Sequence, residues 1–145
     1  MALMDLGSAE APAMAAPEAM SEEAVLDRVS AVADGPLRAV VNRIDHEGYY
    51  PLDIIASLGE AGALGLHLRL GGNRVGLAIA AMQAVSRVCG ATGFLMWAHD
   101  VCGLYLAQSD SPALTDKLLP DHVAGRSFGG TALSNPMKAL AGIEK

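Results

Sequence analysis

The stretch HEGYYPLDIIASLGEAGALGL, residues 46–66, decides how this chain folds. Gly48 ends one helix, Pro51 stands where a first-turn proline is tolerated, and Leu52, Ile55 and Leu58 line one face before Gly62 closes a short second helix. Upstream, Ser21 offers an N-cap oxygen, and Glu22 and Glu23 favour the positive end of a helix. Val25, Val29, Val32, Pro36, Val40 and Ile44 then recur every three or four residues, one apolar face that Gly35 and Pro36 should kink or split. Residues 1–20 mix Ala, Met, Pro and acids without a period and read as a disordered leader. Downstream, residues 64–70 are apolar but brief, and Gly71 and Gly72 make a loop into a helix over about 74–88, with Val75, Ile79 and Met82 on one face. A helix over about 92–108, apolar nearly all round, is expected at the centre of a bundle. A further helix over 112–124 ends at Gly125. The period then changes, and Ser127 to Ser134 (SFGGTALS) reads as a strand stopped by Asn135 and Pro136.

Composition points the same way. Of 145 residues 52% are hydrophobic but only 4% aromatic, the excess being Ala and Leu, which suit closely packed helices better than a β-sandwich. The fold class is therefore all-α, a bundle of five to six helices ending in one strand. The net charge is -6 and basic residues are scattered singly, so nucleic acid is not expected as a partner. The most apolar run, residues 91–106, contains His99 and Asp100 and does not read as a membrane span. The first basic residue is Arg28, too late for a signal-peptide n-region, and Cys89 and Cys102 read as small core residues; a cytoplasmic protein is expected. A lone strand would leave its backbone groups unpaired, which implies either a fragment or completion by another polypeptide.

In order and spacing these elements resemble the N-terminal part of the acyl-CoA dehydrogenase superfamily. The family's EAG-x-x-GL turn corresponds to Glu60, Ala61, Gly62, Gly65 and Leu66. Its K-x-x-x-LP-x-x-x-x-G segment corresponds, with slightly different spacing, to Lys117, Leu119, Pro120 and Gly125. Its A-x-T-E-P strand corresponds to Ala132, Leu133, Ser134, Asn135 and Pro136. After the leader (1–20) read from composition, the resemblance implies an N-terminal helical domain (21–126) and the start of a middle β domain (127–145). It also implies FAD as cofactor, oxidation of the α,β bond of an acyl thioester, and a homo-oligomer at full length. Cofactor-binding roles fall to Ser134 as side-chain donor to the pyrimidine end of the flavin, Leu133 through its backbone, and Thr131 along the ring. The family's catalytic base lies far downstream, so no catalytic residue is expected in this chain.

Two departures bear on the substrate. Where the family places a Ser that contacts pantetheine, this chain has Leu140, and the acid before the proline is Asn135. Flavin-dependent monooxygenases of the same superfamily, acting on aromatic compounds, form a second reading, and a helical interaction module without flavin a third. Elsewhere, Thr131 and Ser134 also read as ordinary strand and turn residues. His99 and Asp100, adjacent on a helix, point about 100° apart and read as buried or contact residues rather than a general base. His46, His67 and His122 offer no i, i+4 metal pair and read as surface or cap residues, so no metal site is expected. Met82, Met96 and Trp97 read as core, or as lining of a flavin or acyl pocket.

Overall fold

The computed structural model describes residues 20–143. The expected leader lies outside them apart from Met20, whose carbonyl accepts a hydrogen bond from Arg74 at 3.0 Å. The fold is all-α, and no strand occurs among the described residues.

Ser21 caps the first helix as expected, its Oγ accepting from the Ala24 N–H at 3.2 Å. Helix α1 (Glu22–Val32) does not break at Pro36. It passes through a wider π-helical turn, Ala33–Leu37, into α2 (Arg38–Glu47). The extra residue in that turn accommodates a proline that has no N–H to give and whose ring crowds the preceding carbonyl. Gly48, left-handed at φ 69°, ends α2. Pro51 precedes α3 (Leu52–Glu60), which turns Ile54, Ile55 and Leu58 inward and leaves Leu52 at the surface.

Helices α4 (Val75–Val88) and α5 (Gly90–Ala107) complete the bundle, with α4 lying against both α1 and α5. Val25, Val29, Leu37, Ile54, Leu58, Leu66, Ala81, Val85 and Met96 form the core. The face expected on α4 is corrected: Leu77, Ala78, Ala81 and Val85 are buried, whereas Val75 and Ile79 are exposed. Helix α4 is apolar on two neighbouring stripes, and the smaller Ala side chains permit the closer approach to α1 and α5.

A second π-helical turn, Ala113–Leu118, leads into α6 (Leu119–Val123), where Leu68, Leu106 and Leu119 make a small satellite cluster. The turn after α6 is pinned to α3 backbone to backbone. A Cβ on Gly59 would stand 2.5 Å from the Ala124 carbonyl carbon, and one on Gly125, itself at φ 69°, would stand 2.9 Å from the Ala56 Cα. The strand expected from Ser127 to Ser134 does not form. The chain runs irregularly to Leu133, and α7 (Ser134–Leu140) takes Asn135 and Pro136 into its first turn. A strand needs a partner row, and the described residues supply none; proline is meanwhile tolerated at a helix start.

Candidate functional site

The irregular segment after α6 folds back on α5 and closes a cavity of about 340 Å³, lined by Tyr50, Leu95, Ala98, Phe128, Gly129, Gly130 and Thr131. Thr131 Oγ1 accepts from the Leu133 N–H at 3.1 Å and lies 3.3 Å from the Tyr105 hydroxyl. The structure therefore brings Thr131 and Leu133 together. Ser134 does not line this cavity; it begins α7 and is exposed.

Beneath this segment His99 of α5 and His122 of α6 lie face to face, ring centroids 3.6 Å apart and planes 10° from parallel. Each ring Nε2 donates to the other residue's carbonyl at 2.9 Å, so each neutral ring carries its hydrogen on Nε2. Burial disfavours the charged ring in both: His99 is lowered to about 4, opposed only in part by its bond to the His122 carbonyl, and His122 is lowered for the same reason. The pair supports the cavity wall. Phe128 tilts over His99 at 6.5 Å, and a Cβ on Gly129 would collide with Cys102 Sγ and come within 3.1 Å of the His122 ring.

Asp100 faces away from His99, as the helical angle requires. Its Oδ1 accepts from the Gly65 N–H at 3.2 Å, and its carbonyl accepts from His67 Nε2 at 3.0 Å. This tie explains the EAG-x-x-GL turn physically: the turn hands the Gly65 N–H to a carboxylate on the central helix. The surface or cap roles expected of His67 and His122 are corrected, since His122 is 2% exposed and His67 is largely buried. No spacing along the chain could have paired His99 with His122, because they sit on separate helices 23 residues apart. Met96 is core as expected, while Met82 and Trp97 border a groove between α4 and α5. Among the described residues no cluster of side chains suited to a metal ion occurs.

Residues 20–126 match the family model described as acyl-CoA dehydrogenase, N-terminal domain. A curated relative from Clostridium acetobutylicum, described as an acyl-CoA dehydrogenase, short-chain specific, is 24% identical over 120 residues, covering 79% of this chain and 32% of its own. The chain thus spans about a third of the length of the curated relative it matches. No solved structure matches the chain.

Proposed function

The chain belongs to the acyl-CoA dehydrogenase N-terminal domain family, and from that membership we propose that it forms part of an FAD-dependent oxidoreductase acting on the CH–CH group of an acyl thioester. The observation that carries the reading is the family match over residues 20–126, which ends just before the segment that walls the Thr131 cavity. In this reading residues 21–126 are the N-terminal helical domain and the segment from 127 opens a second domain. The catalytic carboxylate, the rest of the cofactor site and the oligomer interface belong to chain beyond this stretch. A cytoplasmic location is part of the same reading; among the described residues no helix is long and apolar enough to cross a membrane.

The cavity's chemistry suits a flat ring with polar edges. Phe128 and Tyr50 offer flat apolar surfaces, and the Cβ position of Gly130 meets nothing within 4 Å, leaving the backbone there open to close approach. With Tyr105 as donor in their shared contact, the Thr131 hydroxyl accepts from both Tyr105 and Leu133 and keeps its own hydrogen for one ligand acceptor. Thr131 would accordingly be a side-chain donor to the pyrimidine end of a bound flavin; the Leu133 amide is engaged by Thr131, and Ser134, the donor that the resemblance implies, does not line this cavity. The chemistry supplied by bound FAD is two-electron oxidation, and fixed donors at that end stabilise the charge gathered there on reduction.

One observation favours the monooxygenase reading as a second possibility: Leu140 is 83% exposed where the family's pantetheine-binding Ser would stand, and it has no hydroxyl to offer. Titrating FAD with the purified chain and following flavin fluorescence tests the cofactor. Saturable quenching is expected, weakened about tenfold in Thr131→Ala, in line with the loss of one hydrogen bond. Fluorescence that does not respond overturns the proposal for this chain.

A further inference from the structure

Helices α4 and α5 lie side by side, and their outer face differs from the rest of the surface in its charge. The chain has 10 basic and 16 acidic residues, yet α4 and α5 carry only Arg87 and Asp100, and Asp100 is buried. What the two helices turn outward instead is Val75, Ile79, Phe94, Trp97, Leu104 and Tyr105. Single exposed apolar side chains are ordinary, but a face of them with one charge in the last turn of α4 marks an interface.

That face carries both a projection and a recess. Between the helices lies an open groove of about 190 Å³, its walls, Ile79, Met82, Trp97, Val101 and Leu104 among them, almost wholly apolar. Phe94 stands one turn from Trp97 along α5, 64% exposed, its ring stacked on the indole at 5.4 Å between centroids. A knob and a hole on one face have a geometric consequence. A second copy turned over about a two-fold axis through that face offers each groove the other's Phe94, so the contact closes on itself and does not propagate. An axis crossing α5 between Trp97 and Ala98 sets Phe94 of one copy opposite Val101 of the other, at the groove wall.

Charge and size both suit this occupant. With a net charge of -6, two copies repel over most of their surfaces, and this face is where they meet without an exposed acid on either side. Helices of 14 and 18 residues are about 21 and 27 Å long and about 10 Å across, which makes a face of roughly 500 Å² in projection on each copy. Two such faces bury about 1,000 Å² or more, the size at which specific contacts begin. We propose that the α4–α5 face pairs this chain with a second copy of itself, Phe94 of each seated in the groove of the other. The inference is independent of the flavin reading, and the contact is separate from the oligomer interface which that reading assigns to chain beyond this stretch.

Sedimentation equilibrium of the full chain tests it, with a thiol reductant present so that Cys89 and Cys102 cannot link copies. The mass is expected to rise with concentration across the micromolar range from 14.9 kDa to twice that value and no further. Fluorescence of Trp97, the sole tryptophan, should move to shorter wavelength over the same range as the groove loses water. Phe94→Glu sets a carboxylate against an apolar groove and should weaken pairing by about tenfold or more. Leu140→Glu, at an apolar residue of α7 that is 83% exposed and outside the face, should leave pairing unchanged. If circular dichroism shows that Phe94→Glu does not fold, Ile79→Lys at the groove wall, also 64% exposed, takes its place with the same expected loss. A monomer at every concentration, growth beyond the dimer, pairing indifferent to the substitution on the face, or equal weakening by Leu140→Glu overturns the proposal.

Discussion

His99 and His122 tie two helices together through four groups, two ring N–H donors and two carbonyl acceptors, and all four are buried or nearly so. Removing one ring leaves the other residue's carbonyl without its donor and opens a void beside the remaining ring. His122→Ala is therefore expected to lower unfolding free energy by about 2–4 kcal/mol, read from urea midpoints at unchanged m-value. The same pair sets a pH dependence. Both rings titrate lower in the folded than in the unfolded chain, so the unfolded state takes up more protons as pH falls below the ordinary histidine value of about 6.5. Stability is then fully present above that value and declines as pH drops toward about 4, where His99 itself titrates. The slope is at most about 1.4 kcal/mol per pH unit for each ring. Asp100, raised by burial, contributes with the opposite sign in the acid range above its ordinary value. A urea midpoint that falls between neutral pH and pH of about 5, and no longer does so in a variant lacking both rings, is the expected result. At this scale the sequence showed that His99 and Asp100 point apart, because that follows from helix geometry alone. It did not show that His99 meets His122 or that Asp100 holds Gly65, because both contacts join residues far apart in the chain.

Helices α3 and α6 illustrate what periodicity can and cannot reveal. Gly62 and Gly125 read correctly as terminators, since helix ends carry local signals. That Gly59, a residue inside a helix, is required for contact with the turn at Ala124 and Gly125 has no local signal, for the clash is between backbones. Gly59→Ala and Gly125→Ala are each expected to cost about 2 kcal/mol or more, whereas Gly35→Ala, with nothing within 4 Å of the added Cβ, should be neutral or stabilising by up to about 1 kcal/mol. Thermal midpoints of the three variants check this ranking. Periodicity does not single out the inward face of α4, because its apolar residues form two adjoining stripes and a period cannot tell which one meets a neighbour. The segment after α6 departs from the expected strand for a different reason. Its β-type composition states a preference that only a partner row can satisfy, and helix α7 takes its last residue instead.

At the scale of the whole molecule, the all-α architecture was legible because capping residues, Gly punctuation and Ala-Leu composition agree. Phe94, Trp97, Val75, Ile79 and Leu104 form an exposed apolar tract over α4 and α5, and Phe128, Leu133, Met137 and Leu140 add a second near α7. Such surface is expected where something else is to be covered or bound. In the proposed function Phe128, from the second tract, lines the cavity that would take the flavin. In the proposed function FAD would be held by the segment after α6 against α5, with Thr131 as donor. Amide hydrogen exchange with and without FAD measures this directly. The account predicts slowed exchange confined to residues 127–133 and the facing part of α5; unchanged exchange there, or protection appearing elsewhere in the bundle, would contradict it.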